Sequence, residues 1–334
     1  RTRAVQRNPC PEMTSVRAFA PGRVNLIGDH TDYTGGLVLP MVLERRTVID
    51  GTATNDGVVR IASADEPEPA VFAADIDNPE TIEPRWARYV AGMVREMRLA
   101  GVPVSGFDAS VSTDLPIGAG LSSSAALEIA TGRFIRSIAA ESTLDDVEMA
   151  LAAQRAEHRA SGVPCGIMDQ LCIAVGQPGR ATLIDCHDLS VRHVALPDSI
   201  DIDVKFVAQR TLVGSEYSDR VADCRTIEQH IGPLRLASMN DVESLPDSRL
   251  KRRARHVISE NQRVRDFVAA LESNDVDELG RLMTESHRSL ATDYETSSPT
   301  MDQAVAELLT RPGVLGARMT GGGFGGCVVA IRRR

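Results

Sequence analysis

Apolar and polar residues alternate at Phe107, Ala109 and Val111, the two-residue period of a half-buried strand. The alternation stops at Leu115-Pro-Ile-Gly-Ala-Gly, and from Ser122 the chain runs on through three serines to Leu127, Ile129 and Ala130 without a breaker. This pattern predicts a strand, a glycine turn and a helix, with Ser122 to Ser124 as the helix start. Upstream, Thr47-Val-Ile-Asp and Val58-Val-Arg-Ile read as strands joined in a hairpin by Asn55-Asp-Gly. Residues 86 to 100 switch to helical spacing at Trp86, Tyr89, Val90, Met93 and Met97. Thr143 with Asp146 predicts the cap of a further helix, which runs to about Arg159 and is ended by Ser161-Gly162 and Pro164. Strand-like runs return at Ala181 to Asp185 and Val204 to Val207. Helical periods dominate from Asp219 until a glycine run and a last short strand, Cys327 to Ile331. The basic cluster at 251 to 255 reads as one solvated helix face. Strands and helices interleave without strict βαβ alternation, which predicts an α+β class. A chain of 334 residues suits two domains, and the change of pattern places their join near 180 to 205.

Composition refines this only slightly. A 43% share of hydrophobic residues fills ordinary cores, and a net charge of -9 with a pI of about 5.4 argues against a nucleic-acid surface. Arg1, Arg3, Arg7 and Arg332 to Arg334 read as solvated tails. The six cysteines, at 10, 165, 172, 186, 224 and 327, form no CxxC pair and no disulfide framework. With no apolar leader and no long apolar span, the expectation is a cytoplasmic protein with reduced thiols and no membrane partner.

The chemistry concentrates in five places. Gly118 and Gly120 let backbone approach a bulky anion, and the serines and free N–H groups of the following helix start would face it. No lysine follows, so this is not a Walker loop; it suits ATP held by backbone, hydroxyls and a metal, or else a plain helix cap after a tight turn. Residues 20 to 36 pack Arg23, Asn25, Asp29, His30, Asp32 and Tyr33 into one segment. Paired carboxylates and an imidazole suit vicinal sugar hydroxyls. A glycine-closed turn whose aspartates cap backbone ranks second, and a metal site third. Asp169 sits inside an apolar run, where a carboxylate costs several kcal/mol unless paired. It is a structural ion pair or helix cap, or a base beside a reacting hydroxyl. Glu157 falls in the last turn of a helix, where the dipole disfavours an acid. Either Arg155 or Arg159 offsets it, or it is a Mg²⁺ ligand. The Gly321-Gly-Gly-Phe-Gly-Gly run matches a dinucleotide fingerprint only by composition, since eight residues follow Gly326. It reads as a loop bringing backbone close to a ligand or another loop.

Several segments together resemble the GHMP small-molecule kinases and, within them, the galactokinases. Arg23 to Gly36 (GRVNLIGDHTDYTGG, from Gly22) is similar to the sugar signature, residues 115 to 126 to the shared phosphate motif, and MTGGGFGGC from Met319 to the third motif. The stretches AEHRASGVPCGIMDQ (Ala156 to Gln170), GSEYSDR (Gly214 to Arg220), RRARHVISEN (Arg252 to Asn261) and SHRSLATDYE (Ser286 to Glu295) agree. The resemblance implies two lobes around the active site, an S5-like N-terminal domain over 1–190 and a ferredoxin-like C-terminal domain over 191–334. It implies transfer of the ATP γ-phosphoryl group to the C1 hydroxyl of galactose. Asp169 would take or orient the C1 proton beside Arg23, and Asp29, His30, Asp32, Gly166 and Tyr217 would hold the sugar. Gly118, Gly120, Ser122, Ser123 and Ser124 would cradle phosphate, and Ser123 with Glu157 would take Mg²⁺. Trp86 and Tyr89 would lie near the adenine, or simply pack a helix face. The family carries Glu where Asp29 stands, one methylene longer, so a sister kinase for N-acetylgalactosamine, arabinose or galacturonate is the first rival. A non-catalytic sugar-responsive regulator on the same fold is the second. The implied partners are a small sugar and ATP, with no obligate protein partner.

Overall fold

Long alternating runs at the N-terminal end pair with one another. β1 (Val16–Asn25) lies antiparallel to β3 (Pro40–Ala53), with the two-residue strand β2 (Leu37–Val38) between them in sequence. The computed structural model describes residues 15–139, 142–209 and 216–334; Arg1, Arg3, Arg7, Cys10, Gly214 and Ser215 lie outside the described residues. β4 (Val58–Ser63), β5 (Ala70–Ala73), helix α1 (Ala87–Leu99) and β6 (Phe107–Thr113) follow. Next come α2 (Ser123–Ile138), α3 (Asp146–Ser161), α4 (Met168–Val175), β7 (Arg180–Asp185) and β8 (Val191–Ala195). These eight strands form one sheet with the path β2-β7-β3-β6-β4-β5, β1 on β3 and β8 on β7. Helices α1 to α4 pack together over it, and α2 lies on β1 and β3.

The predicted hairpin at Asn55-Asp-Gly is corrected here. The turn exists, with Gly57 at φ 72°, but β6 inserts between the two strands, antiparallel to β3 and parallel to β4. The turn's amides bond to the segment before β6 instead: Thr54 N donates to Gly106 O and Gly57 N to Ser105 O, at 2.9 and 2.8 Å. Phe107 at the start of β6 is fully buried and meets Phe134 of α2 edge-on, ring centroids 5.1 Å apart. Burying such a side chain contributes about 1.5–3 kcal/mol, more than a local turn can offer. The cap of α3 also differs: Asp145, not Thr143, accepts from Glu148 N, and Glu148 reciprocates on Asp145 N.

The chain then passes to a second sheet. β9 (Ile200–Ala208) precedes five helices: α5 (Tyr217–Ile231), α6 (Met239–Val242), α7 (Ser248–Ser273), α8 (Val276–Thr292) and α9 (Pro299–Leu309). β10 (Val314–Thr320) and β11 (Gly326–Arg333) close a three-stranded antiparallel sheet in the order β10-β11-β9. The two sheets share a core: Val24, Leu26 and Ile27 after and within β1 pack with Val264 and Phe267 of α7 and Val329 of β11. The basic cluster at 251 to 255 is not uniformly solvated. Arg253 is buried, donating to Asp293 O and pairing with Glu295, while Lys251, Arg252 and Arg255 stay at the surface side with ion partners. Among the described residues Cys165, Cys172, Cys186 and Cys224 are free, and no helix is long and apolar enough to cross a membrane.

Candidate active site

Three elements meet at one carboxylate. Asp169 stands in the first turn of α4, where free amides and the helix dipole favour an anion. Its Oδ1 accepts from Arg23 Nε at 2.8 Å and pairs with Nη2 at 2.6 Å; its Oδ2 accepts from Ser122 Oγ at 2.5 Å. Arg23 Nη1 donates to Gly120 O at 2.7 Å, so the guanidinium ties β1 to the glycine turn. Two local devices aim Arg23. The β1–β3 register shifts between Pro21 and Arg23, a bulge that turns the side chain. Gly22 lies so near the turn that a Cβ there would be 2.8 Å from Leu121 O. The Arg23 side chain is 2% exposed and that of Asp169 is 28% exposed. The cation is sealed while the acid stays open to a reacting group.

The serine loop departs from a plain cap. Helix α2 begins at Ser123, and Ser122 takes a left-handed φ of 59°, with no side-chain bond to the helix amides. That conformation is uncommon outside glycine, and here it sends the hydroxyl to Asp169. Gly118 and Gly120, at φ 74° and 79°, supply the remaining left-handed turns at little cost. The loop borders a cavity of about 350 Å³. Gly118, Gly120, Ser122, Ser123 and Ser124 form one wall; Trp86 and Tyr89 of the α1 start stand on another; Glu157 and Asp169 also line it. Trp86 Nε1 donates to Glu68 O at 3.2 Å, which fixes the indole at the rim.

Glu157 pairs with neither Arg155 nor Arg159. Arg155 is taken by Glu96 at 2.7 Å, and Glu157 instead receives hydrogen bonds from Ser124 and Ser161 and lies against Glu128. Glu128 is fully buried on α2, one turn beyond Ser124, with its Oε2 bonded to Gln170 Nε2 at 3.2 Å and its Oε1 without a partner. Burial raises both carboxyls above the usual range; the Glu157 charge adds to it at Glu128 and the Asp169 charge at Glu157, where hydrogen bonds from Ser124 and Glu128 act against it. A buried acid, a half-buried one and adjacent serine hydroxyls, with no cation acting on either acid among the described residues, are hard oxygen donors of the kind a divalent ion takes. That donor chemistry fits Mg²⁺.

A smaller cavity of about 50 Å³ adjoins the first, and Asp169 and Cys165 line both. Arg23, Asp29, His30, Asp32, Gly166 and Tyr217 border it, together with Gly321 and Gly322 of the C-terminal glycine run. All residues predicted to hold the sugar therefore surround one space. Gly166 has no room for a side chain: a Cβ there would fall 2.1 Å from Asp32 Oδ2.

Burial, then the Asp169 charge, pushes the Asp32 carboxyl up to about 7. The folded value exceeds the unfolded one of about 3.9, so the native state binds the extra proton and stability falls as pH rises between those values. Asp32→Asn, which carries no charge to bury, is expected to gain on the wild type by roughly 1 kcal/mol per unit between pH 4 and 7 and to level off above. Urea unfolding of the sugar-free protein across that range measures this; parallel curves for the two proteins would contradict it.

Asp29 lines this space from within a buried charge cluster. It is 1% exposed, with Oδ1 accepting from Asn25 Nδ2 at 2.8 Å and Gly321 N at 3.1 Å, and Oδ2 paired with Arg318 Nη2. Arg318 is fully buried on β10, 4.0 Å from Glu260 of α7, and Glu260 in turn accepts from Gly28 N at 3.0 Å and pairs with Arg263. Opposing cations hold Glu260 down at about 2 despite its burial, with Arg263 the largest of them. Sequence reading missed Arg318, Glu260, Glu128 and Gln170. Signals existed for two. Arg318 alternates with Gly316 and Thr320 on the inward face of a strand, and Glu128 shares a helix face with Ala125 and Ile129. A charge at such an apolar position asks for a partner.

Three family models match the chain: the galactokinase galactose-binding signature over residues 10–51, the GHMP kinase N-terminal domain over 88–177 and the GHMP kinase C-terminal domain over 267–333. Human galactokinase is 44% identical over 327 residues, covering 93% of this chain and 82% of the human protein. Galactokinase of Roseiflexus sp. (strain RS-1) is 42% identical over 330 residues, covering 94% and 83%. Among solved structures, Lactococcus lactis galactokinase complexed with galactose superposes with a TM-score of 0.90 at 32% identity, covering 96% of this chain and 86% of that one. Methanococcus jannaschii mevalonate kinase, at 20% identity and a TM-score of 0.67 over 97% and 92% of the two chains, shares the fold.

Proposed function

The chain belongs to the galactokinase family of the GHMP kinases, and on that premise we propose that it transfers the γ-phosphoryl group of ATP to the C1 hydroxyl of galactose. It is an ATP-dependent sugar kinase with the two-lobed GHMP fold. The observation that carries the assignment of roles is Asp169, which borders the large and the small cavity at once and is gripped by Arg23 and Ser122. ATP takes the large cavity, its phosphates against the Gly118–Ser124 turn, where amides and hydroxyls offer donors without a lysine. The sugar takes the small cavity between Asp32, His30, Tyr217 and the glycine backbone of 166 and 321. Its C1 oxygen then faces both Asp169 and the γ-phosphate.

In the reaction the C1 oxygen forms a bond to phosphorus as the bond from phosphorus to the ADP oxygen breaks. Asp169 accepts the hydroxyl proton, and Arg23 and the loop amides offset charge on the moving phosphoryl oxygens. Because such transfers are catalysed mainly by positioning and charge, the Arg23–Gly120 bond matters: it keeps the cation and the phosphate turn in one frame. Glu157, with Ser123 or Ser124, would hold Mg²⁺, which when bound neutralises and orients the phosphates. ATP as co-substrate and the free thiols of Cys165, Cys172, Cys186 and Cys224 support a cytoplasmic setting.

The test is a substrate panel on the purified full chain with ATP and Mg²⁺: galactose, N-acetylgalactosamine, arabinose and galacturonate, read as ADP release with the product's phosphate position assigned by phosphorus NMR. Turnover of galactose with phosphate at C1 is expected. Turnover of another sugar with none of galactose overturns the choice of substrate, and no ADP with any sugar overturns the kinase itself.

A further inference from the structure

A second cavity backs onto the sugar space. It holds about 470 Å³, and Asp32, Cys165 and Gly166 line it as well as the small cavity, so the Cys165–Gly166 peptide is part of the wall between the two. Gln154 and His158 of α3 border the outer cavity. They stand four residues apart, hence on one face of the helix. Both reach the same atom: Gln154 Nε2 donates to Cys165 O at 3.1 Å and His158 Nε2 at 2.9 Å. A carbonyl only accepts, so Nε2 of this imidazole carries a proton, and the two donors fill the two lone pairs of the oxygen. The chain between is tied to the same helix end, with Gly162 N on His158 O at 3.0 Å and Val163 N on Ser161 Oγ at 3.1 Å.

The peptide is trans, since the cis bond among the described residues is Glu83–Pro84. Its N–H therefore points opposite to its C=O. With the carbonyl turned to α3, the Gly166 amide is turned away from it, toward the small cavity that Gly166 borders. No acceptor among the described residues takes a hydrogen bond from that amide. Asp32 lies against Gly166, yet it draws its backbone hydrogen bonds from the amides of Asp32 and Tyr33. An amide beside a carboxyl suits a hydroxyl: the ionised carboxyl accepts the hydroxyl proton, and the amide donates to the hydroxyl oxygen, which a carboxylate cannot do. Such a donor is aimed only while its peptide plane is held. Glycine, the most permissive residue, does not hold that plane by itself.

We propose that Gln154 and His158 are positioning residues that lock the Cys165–Gly166 peptide, so that the Gly166 amide donates to a sugar hydroxyl beside Asp32; this rests on the galactose-kinase reading above. Neither side chain touches the reacting atoms. Their effect reaches the sugar only through the peptide. Because one carbonyl takes both donors, each compensates for loss of the other, and removing both costs more than the two single losses together.

The sequence supplies a probe, because Cys165–Gly166 is the only Cys-Gly step in the chain. The full chain labelled with carbonyl-¹³C cysteine and ¹⁵N-glycine gives one cross-peak in a carbonyl-to-amide NMR spectrum. That peak reports the Cys165 carbonyl and the Gly166 amide together. In the wild type, saturating galactose should move the Gly166 amide proton downfield. Without sugar, Gln154→Leu and His158→Leu should each shift the Cys165 carbonyl carbon, and the double variant should shift it further. In steady-state kinetics each single variant should raise the galactose KM by less than about twofold and the double variant by roughly 3- to 10-fold, the size of one neutral hydrogen bond. The kcat should stay within about twofold, with the ATP KM and the Mg²⁺ requirement unchanged. An amide proton that galactose leaves in place overturns the proposal, and so does a wild-type galactose KM in the double variant. A loss that falls on kcat or on the Mg²⁺ requirement would place the effect at Glu157, on the same helix, and overturns it too. Should the double variant fail to fold, His158→Leu, a change at an exposed position, decides through the same peak: a carbonyl carbon left at its wild-type shift overturns the proposal. Failure of the galactose reading is distinguishable, because the wild type then turns over no galactose while the sugar-free carbonyl shifts stay readable.

Discussion

Asp169→Asn is expected to lower kcat for galactose by about 10²- to 10⁴-fold, with galactose affinity changed only a few-fold. The amide has the shape of the carboxylate and still presents an oxygen to Ser122 or to a C1 hydroxyl, so ground-state binding survives. It cannot take a proton as the phosphorus–oxygen bond forms, and that loss is felt in the transition state. The substitution also strips Arg23 of its counter-charge in a sealed site, so stability has to be followed alongside rate. A double variant, Arg23→Met with Asp169→Asn, separates the two effects. The pair acts as one unit, so the double variant should lose little more rate than the single while recovering part of its stability. Steady-state kinetics with calorimetric galactose binding gives both quantities. Equal losses of affinity and rate in Asp169→Asn would mean that Asp169 only builds the pocket.

The largest loss of stability is expected at Arg318. Arg318→Met removes the charge, keeps most of the volume and leaves Asp29 and Glu260 buried without their shared cation. Breaking a buried pair in this way costs about 3–5 kcal/mol, against a total of about 5–15 kcal/mol for a typical protein. Urea unfolding measures it. Asp29→Asn in the Arg318→Met background should restore part of the loss, because one stranded charge is then gone. A cost below about 1 kcal/mol for Arg318→Met would show that water reaches the cluster and that the pair behaves like a surface one. The experiment also bears on the substrate. Asp29 is the position where the sequence departs from the resemblance, and its oxygens are engaged by Asn25, Gly321 and Arg318.

The sequence made the local chemistry legible because that chemistry is written in short segments. The strand–turn–helix order around Gly118 to Ser124, helix α1 with Trp86 and Tyr89 at its start, and the density of polar groups from Arg23 to Tyr33 each follow from periodicity or from residue type within a window of about fifteen positions. What lay out of reach was pairing across long separations. Nothing near Asn55-Asp-Gly says that β6, some fifty residues later, will enter between the strands on either side. The meeting of Arg23 with Asp169 spans 146 positions; the sequence marks each as a charge in need of a partner without naming that partner. Arg318 was easily passed over for a further reason: three consecutive arginines at 332 to 334 made basic residues in that stretch read as solvated tails. Ser122 was half legible. A serine before a helix predicts a cap, and only the left-handed backbone imposed by the glycines on its N-terminal side redirects the hydroxyl to Asp169.

The amide of Gly321 rests on the Asp29 carboxylate, so the turn between β10 and β11 is built into a segment made 292 positions earlier. A ribosome that has synthesised β1 through β9 has therefore produced the phosphate turn, the acid and its guanidinium, yet not a competent pocket. Until the β10–β11 hairpin emerges, Asp29 lacks both Arg318 and the Gly321 amide and keeps Asn25 alone as a donor, while Glu260 is left with Arg263. Cleavage before β10 would return the enzyme to that condition. The β10–β11 hairpin, which belongs to the second sheet and not to the phosphate turn's, is thus a keystone whose removal should abolish sugar recognition before it unfolds the first sheet.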